Sequence, residues 1–594
     1  MKKTTLLLIL MILPLELLAD TVSLPRARAL AETFMAADGA TRTGNLTLAY
    51  SYDVNGNVMA DTRLSGDPAI YVFNRPGGGF VLVSGDDSFM PVLGYSDTGS
   101  FRDDATMPEN LRAWLAEMTG SINDLRAAHA VATPKVAEQW SRYETSTRVG
   151  APRRATTVVQ YTTANWGQGD PYNTFCPSIN GSRAVTGCVA TSIGILMHYY
   201  KYPTRALHDF PAFTGDGYLV PFRAADYDYQ WNKMQMTYGS GASFTQEEAE
   251  ACARLLADIG QVGQLSYGVS STGGVTKEVI GMMADYFGYD KGMLNVSRYY
   301  YSDEEWIAKL KAELNVRPMS YTGRSTTGGH AFVADGYDTD DHIHINWGWN
   351  GSSNGFYSIN ALGKYTSSHA ATFGFRPDAN GVYIPLYAFY VGKTNAGVDY
   401  KGLEMISPAI TPNKDFKIKV GGITNRGYSS HTTKIGVAHC TKDGAIKEIV
   451  NKTTMDVTSL DPGYWRGFES VTCRISKPIE SGDVLRCFFR SDDGDLQKLL
   501  CESNINAVEE IKIEEVLSLE AVSTMTYDRA AQTLTISTKV GISISVAAES
   551  KASTAGFVTV NPGSVVINLA QAPSDTYTIV LTSSTESKTI KIVR

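Results

Sequence analysis

The residue best placed for covalent chemistry is a cysteine that follows a glycine at the start of a helical pattern. Cys188 lies in the segment Ala184-Val-Thr-Gly-Cys-Val-Ala-Thr-Ser192. Apolar residues then recur at helical spacing, at Val189, Ile193, Leu196, Met197 and Tyr200. We expect Cys188 in the first turn of a buried helix, where backbone N–H groups and the helix dipole lower the pKa of a thiol. The pattern predicts a nucleophile, with a buried structural cysteine as the alternative at this point.

The other cysteines fit a nucleophile less well. The chain has seven cysteines, and an odd count leaves at least one thiol without an intramolecular partner. Cys252 lies in a helical pattern and is expected in a core. Four cysteines in the C-terminal region are expected as core residues or disulfide partners: Cys440, Cys473, Cys487 and Cys501. The rival to Cys188 is Cys176, but it precedes Pro177 in a loop with no helix to activate it.

A thiol nucleophile needs a base, and one of the nine histidines stands out. His330 follows two glycines and opens an apolar strand. An acidic turn at 338–341 and a second strand at 342–347 predict a hairpin. That hairpin would bring Asn346 and Trp347 close to His330. An amide there could orient the imidazole, and an indole could shield a thiolate–imidazolium pair from water.

Acyl transfer also needs a donor for the developing oxyanion. Gln168 lies between two glycines, twenty positions ahead of Cys188. Its side-chain amide could act together with the backbone N–H of Cys188. With His330, these residues complete a set of nucleophile, base, orienting group and oxyanion donor.

Composition indicates an exported, β-rich protein of several domains. The chain has 594 residues, and roughly 150 residues per domain predicts about four units. Apolar residues make up 43% of the chain, and the net charge of −8 gives no reason to expect nucleic-acid binding. Lys2 and Lys3 precede an apolar run, and small Ala19 closes the segment, which is typical of a signal peptide over residues 1–19. We therefore expect a secreted or cell-surface protein.

Changes of pattern predict four domains after the signal peptide. Residues 20–150 have helical patterns near both ends and strand-like runs between them. The basic, Gly- and Pro-containing segment 148–155 predicts an exposed and cleavable link. Residues 151–385 hold nearly all of the candidate catalytic side chains. Short alternating strands predict a β-sandwich over 386–505 and a β-rich C-terminal domain over 506–594.

Four segments resemble the streptopain family of bacterial cysteine peptidases in residues, order and spacing. They are Gln168-Gly-Asp-Pro-Tyr-Asn173, Thr186-Gly-Cys-Val-Ala-Thr191, Gly328-Gly-His-Ala-Phe-Val333 and Asn346-Trp-Gly-Trp-Asn-Gly351. The resemblance covers about residues 20–385. It implies an α+β fold, with a papain-like cysteine peptidase domain behind an α/β prodomain. All-β modules of the Ig-like sandwich type are expected to follow.

The resemblance also implies roles for individual residues. Cys188 would be the nucleophile, His330 the general base and Gln168 the oxyanion-hole side chain. Trp347 would flank the dyad, and Asn346 matches a motif position. Contacts to the substrate backbone would fall on Ser271, Thr272, Gly273 and Gly329. By the same resemblance, the substrate would carry a hydrophobic residue two positions before the cut.

A further implication of the resemblance is a zymogen. The prodomain, residues 20–150, would block the cleft as an intramolecular inhibitor, and activation would cut between about 148 and 157. The last strands, 577–593, resemble the C-terminal sorting domains by which Bacteroidetes export proteins. Outer-membrane secretion machinery is therefore an expected partner.

Together these patterns predict a secreted cysteine endopeptidase that hydrolyses proteins and peptides through an acyl-enzyme. No ligand-spacing motif surrounds His342 and His344, so we expect neither a metal nor an organic cofactor. One alternative is a surface adhesin with an inactive peptidase-like domain that binds host protein through its β-sandwich modules. Another is a transglutaminase or amidase on a similar Cys–His core.

Overall fold

The computed structural model divides the chain into two compact units, Met1–Ile384 and Pro385–Arg594. It describes residues 21–36, 46–59, 67–104, 107–144, 155–239, 241–325, 328–359, 369–394, 396–491, 495–502, 506–513, 523–538, 542–550, 553–561, 563–582 and 587–593. None of the helices in these ranges is long and apolar enough to cross a membrane. The predicted signal peptide and most of the predicted cleavage segment lie outside the described residues.

The N-terminal part of the first unit is a four-stranded antiparallel sheet with three helices. Its elements are α1 (Leu24–Ala36), β1 (Thr47–Tyr52), β2 (Ile70–Asn74), β3 (Phe80–Ser84), β4 (Val92–Ser96), α2 (Glu109–Ala127) and α3 (Pro134–Glu144). The strands pair in sequence order. The apolar residues expected on one face of the first helix are all buried: Ala27, Leu30, Ala31, Phe34 and Met35.

This sheet is buried on both faces, and strand alternation sorts its side chains between them. Tyr71 and Phe73 pack with α1 and α3, whereas Ile70 and Val72 pack with α2. A strand buried on both faces is a continuous apolar run in sequence. Helix α3 was not predicted, because few of its side chains are buried; one of them is Trp140.

In the rest of the first unit, the described residues form four helices and eleven strands. They are β5 (Thr157–Gln160), β6 (Ser178–Ile179), β7 (Ser182–Arg183), α4 (Cys188–Tyr200), β8 (Phe213–Gly215), β9 (Tyr218–Val220), α5 (Gln246–Val262), α6 (Thr276–Phe287), β10 (Leu294–Ser297), α7 (Asp303–Leu314), β11 (Met319–Ser325), β12 (Gly328–Asp338), β13 (Ile343–Asn346), β14 (Gly355–Tyr357) and β15 (Ala370–Phe373). A 3-10 turn at Arg298–Tyr300 precedes α7.

One sheet runs through both parts of the first unit. Its order is β1-β2-β3-β4-β14-β13-β12-β11-β15-β10, with β5 paired to β12. The junction is the antiparallel pair β4–β14, where Phe356 lies opposite Tyr95 and Tyr357 lies opposite Gly94. The predicted hairpin is confirmed, since β12 pairs with β13 and Val333 lies opposite Asn346.

Polar contacts also join the N-terminal part to the acidic turn after β12. The imidazole of His342 lies 2.9 Å from Asp338 through Nδ1 and 2.9 Å from the Val92 carbonyl through Nε2. Burial opposes the charge on this ring, but Asp338 and the carbonyl outweigh it and raise the pKa of His342 to about 9. Arg142 of α3 forms an ion pair with Asp340 at 2.8 Å. The N-terminal part is therefore held by charge as well as by the shared sheet.

The second unit consists of antiparallel strands. They are β16 (Tyr387–Tyr390), β17 (Gly392–Lys393), β18 (Asp399–Tyr400), β19 (Leu403–Met405), β20 (Asp415–Asn425), β21 (His431–Cys440), β22 (Ile446–Ile449), β23 (Met455–Leu460), β24 (Trp465–Arg474), β25 (Val484–Ser491), β26 (Gln497–Lys498), β27 (Glu510–Lys512), β28 (Ser523–Asp528), β29 (Thr533–Thr538), β30 (Ser543–Ala548), β31 (Val558–Asn561), β32 (Ser564–Asn568), β33 (Thr576–Thr582) and β34 (Ser587–Val593).

Among the described residues these strands enclose one apolar core within 387–513 and another within 534–592, and a small third cluster contains Ala438, Cys440, Val484 and Phe488. The predicted fold class, α+β followed by all-β modules, is confirmed. The exact domain boundaries stay predictions.

Candidate active site

Helix α4 begins at Cys188, and a glycine permits the close packing of its first turn. Gly187 has a φ of 83°, and a Cβ atom there would lie 2.6 Å from the carbonyl oxygen of Thr272. Only glycine fits this backbone without strain. The hydroxyl of Thr272 donates to the Val185 carbonyl at 2.6 Å, which ties the loop that carries Thr272 to the start of the helix. The predicted position of Cys188 in the first helical turn is confirmed.

The Cys188 thiol is half-buried at the cleft and accepts a backbone hydrogen bond. Its Sγ accepts from the N–H of Ala331 at 3.3 Å, so the start of α4 touches the start of β12. Burial raises the pKa of the thiol, while the N–H groups of Ala331, Cys188 and Val189 act in the opposite direction. Burial prevails, so the thiol is neutral at pH 7 in this structure.

His330 lies on β12, directly before Ala331, and faces helix α2. Strand alternation puts it on the face of Phe332, which packs in the same core as α2. Its buried Nε2 has no hydrogen-bond partner among the described residues. Burial lowers the pKa of His330, against the opposing influence of the Glu109 and Glu117 carboxylates. The two candidate catalytic groups are therefore both neutral, and among the described residues no hydrogen bond joins them.

Cys188, His330 and Gln168 line one cleft of about 770 Å³. The backbone carbonyl of Gln168 accepts from the N–H of Thr186 at 3.0 Å, which holds it beside the start of α4. The predicted substrate contacts line the same cleft: Ser271, Thr272, Gly273 and Gly329. Cys188 and Gln168 thus line the same cleft as the predicted substrate contacts. The roles assigned to all of these residues stay predictions.

Asn346 and Trp347 make their described side-chain hydrogen bonds to residues other than His330 and Cys188. The amide nitrogen of Asn346 donates to Thr163 Oγ1 at 3.0 Å and to the Ala164 carbonyl at 2.9 Å, not to His330. Trp347 is fully buried in the core, and its indole N–H donates to the Ser353 carbonyl at 3.1 Å. Their predicted roles near the dyad therefore stay predictions.

The tryptophan that lines the cleft is the second one of the motif, Trp349. Gly348 between the two has a φ of 73°, so the chain turns there and sends the two indoles in different directions. The resemblance assigned the position beside the dyad to Trp347. The motif contains a second tryptophan after Gly348, which could have indicated Trp349 as well.

The N-terminus of α2 forms part of the cleft wall. The sequence patterns did not predict this position of the helix. Glu109 and Asn110 line the cleft together with Cys188. The Asn110 amide nitrogen donates to the Trp347 carbonyl at 2.8 Å, which anchors the helix to the cleft wall. The N-terminal part of this chain therefore supplies part of the cleft wall, and the predicted blocking of the cleft stays a prediction.

The remaining cysteines are poor nucleophiles. None of the seven, all of which lie in the described ranges, forms a disulfide. Burial raises the pKa of Cys176, the rival candidate, to about 12. Cys252 lies in the core as predicted. Within the described residues, no group of three or more His, Cys, Asp or Glu side chains is arranged to hold a metal ion.

Comparison with known proteins agrees with this arrangement. Residues 166–357 match the Peptidase C10 family, and residues 19–122 match the Spi protease inhibitor family. Streptopain of Streptococcus pyogenes is 31% identical over 338 residues, which span 52% of this chain and 81% of that protein. The chain belongs to the streptopain family. It is a cysteine peptidase with an inhibitor-like prodomain, as its sequence predicted. We call residues 21–144 the prodomain and residues 155–384 the peptidase region.

Three further proteins are similar to this chain. The thiol protease/hemagglutinin PrtT of Porphyromonas gingivalis is 31% identical over 329 residues, which span 52% of this chain and 37% of that protein. A solved prointerpain A fragment from Prevotella intermedia is 24% identical, with a TM-score of 0.43, over 55% of this chain and 98% of the fragment. Active interpain A from the same organism is 29% identical, with a TM-score of 0.33, over 37% of this chain and 94% of that protein.

Proposed function

We propose that this chain is the zymogen of a secreted cysteine endopeptidase, with Cys188 as nucleophile and His330 as general acid and base. One observation supports this most directly. Cys188 begins a helix and touches the backbone of the residue after His330, inside a cleft that is lined in part by the prodomain. A thiol at a helix N-terminus next to an imidazole is the arrangement that activates sulfur for acyl transfer.

In the proposed reaction the Cys188 thiolate attacks the scissile carbonyl carbon and forms a C–S bond. The negative charge on oxygen is held by the Cys188 N–H and the Gln168 side-chain amide. The His330 imidazolium protonates the leaving amine as the C–N bond breaks, which leaves an acyl-enzyme. His330 then takes a proton from water, the water oxygen attacks the thioester carbon, and the C–S bond breaks to restore the thiolate.

We infer that the zymogen cannot carry out this reaction, because Glu109 and Asn110 of α2 line the cleft in which substrate would bind. His330 faces α2 and makes no hydrogen bond to Cys188 among the described residues. We propose that a cut between about 148 and 157 releases the prodomain, after which His330 turns to the thiol. Ser271, Thr272, Gly273 and Gly329 would then hold the substrate backbone.

Digestion of an unfolded protein tests this function against the alternatives. We expect new amino termini, and one equivalent of a thiol-specific epoxide bound to Cys188 should stop their formation. A Cys176→Ala variant is the matched cysteine control and should be labelled and inhibited like the wild type. New isopeptide cross-links or released ammonia without new termini would indicate a transglutaminase or amidase. Binding of host protein without any cleavage would indicate an adhesin.

We also propose that the chain is exported. Support comes from the charged and apolar segment that ends at Ala19 and from the resemblance of the last strands to sorting domains. The expected result of fractionating producing cells is a protein outside the cytoplasm whose chain begins after Ala19. A cytoplasmic protein that keeps Met1 or Lys2 at its terminus would contradict export.

A further inference from the structure

A chain of polar side chains in the peptidase region ends on a carboxylate of the prodomain. The indole N–H of Trp306 donates to the hydroxyl of Tyr321 at 3.2 Å. That hydroxyl lies 2.9 Å from Nδ1 of His369, and Nε2 of His369 lies 2.9 Å from Oε2 of Glu117. His369 and Glu117 are both buried, with 4% and 7% of their side chains exposed. Glu117 belongs to α2, so this contact crosses from the prodomain to the peptidase region.

The donors and acceptors in this series of hydrogen bonds require a proton on Nε2 of His369. An indole N–H only donates, and a carboxylate only accepts. Burial raises the pKa of Tyr321 to about 12, so its hydroxyl keeps its proton. That hydroxyl accepts from Trp306 and can donate to Nδ1 of a neutral His369, whose proton then lies on Nε2. A charged imidazole carries a proton on both nitrogens. In either state Nε2–H points at Glu117.

This donor lies just beyond His330. A small cavity of about 20 Å³ is lined by His330, Glu117 and His369 but not by Cys188. Gly323 lies opposite His330 in the sheet and lines both this cavity and the catalytic cleft. A Cβ atom at this position would lie only 3.3 Å from the His369 ring. Gly323 therefore lies between the cleft and His369 without a side chain that would fill the space beside the imidazole.

Release of the prodomain removes Glu117, the hydrogen-bond acceptor. The hydrogen-bonded side chains that orient His369 remain in place. Trp306, Tyr321 and His369 all belong to the peptidase region. Phe332 and Ile359 also line the cavity, so its remaining wall is largely apolar. Water can reach the Nε2–H group once α2 has left, but a carboxylate is the strongest hydrogen-bond acceptor that a protein can offer it. The vacated site is therefore suited to a carboxylate.

We propose that in the activated enzyme His369, held by Tyr321, forms a subsite for a substrate Glu or Asp side chain, and that Glu117 fills this subsite in the zymogen. The inference rests on the proposed peptidase function. His330 protonates the leaving amine, so the leaving peptide lies on the His330 side of the scissile bond. The cavity lies on that side, and the acidic residue therefore belongs to the leaving peptide.

Matched peptide substrates test the subsite with the activated enzyme. The peptides differ only by Glu or Gln at each of the first three positions after the scissile bond. At one of these positions we expect kcat/KM to be at least about tenfold higher for Glu, because the hydrogen bond to a charged acceptor is stronger. Equal kcat/KM for Glu and Gln at all three positions would overturn the subsite.

Two variants connect that preference to His369. In His369→Phe the Glu/Gln ratio should fall to about one. In Tyr321→Phe the imidazole remains but loses its orienting hydroxyl, and the ratio should fall by roughly threefold. The second variant keeps the proposal falsifiable if the first does not fold. A wild-type ratio in a folded His369→Phe enzyme would overturn the proposal. Failure to cleave any peptide, with Cys188→Ala indistinguishable from wild type, would instead overturn the peptidase function.

Discussion

Cys188→Ala should lower kcat/KM for a peptide substrate by about 10⁴-fold or more, and His330→Ala should have an effect of similar size. The thiolate and the imidazolium are expected to form as a pair, so removal of either group removes both. The double variant should therefore be about as active as the less active single variant. Residual activity would come from binding and from the oxyanion donors alone.

The measurement requires processed protein, because neither variant can activate itself. Trace wild-type enzyme added to each precursor and then removed would supply it, and a thermal unfolding scan would verify the fold. Cys176→Ala is the control, since this thiol is buried and its pKa is raised to about 12. If the two losses multiply in the double variant, Cys188 and His330 act independently and the proposed pair is incorrect.

Local sequence patterns were sufficient for the elements that carry these two residues. Apolar spacing after Cys188 predicted α4, because a buried helix repeats its core face every three to four residues. Glycines, an apolar run and an acidic turn predicted the hairpin of His330, because turn chemistry and strand alternation are local properties. The Cys–His arrangement could therefore be outlined before any tertiary contact was known.

Contacts between distant segments could not be predicted in the same way. Asn110 lies more than 200 positions from Trp347, whose carbonyl it contacts, and no local pattern encodes that distance. The hydrogen bond between Glu117 and His369 likewise joins segments that are far apart in sequence. In sequence both prodomain residues are ordinary polar positions of an amphipathic helix. Only the packing of α2 against β11 and β12 shows that Asn110 lines the catalytic cleft and that Glu117 lines the small cavity beside His330.

Removal of the prodomain should raise the rate at which iodoacetamide alkylates Cys188 at pH 6 by at least about 10²-fold. In the zymogen, burial raises the thiol pKa above its usual value, so very little thiolate exists at pH 6. In the activated enzyme, water enters and His330 can pair with the sulfur, which brings the thiol pKa well below its usual value. The lower nucleophilicity of an acidic thiolate offsets part of this gain. Mass spectrometry of the peptide that contains Cys188 measures the rate.

The pH dependence separates improved access from a changed pKa. If release of α2 only makes the sulfur more accessible, the alkylation rate rises by the same factor at every pH. The inflection of the rate against pH then stays near the pKa of an ordinary cysteine. If an ion pair forms, the inflection moves below about pH 5 and the rate is nearly constant toward neutral pH. Processed His330→Ala enzyme is the matched control, since its cleft is open but has no imidazole. In this variant the alkylation rate should again show its inflection near the pKa of an ordinary cysteine. An inflection that stays below about pH 5 would mean that the helix N-terminus alone activates Cys188.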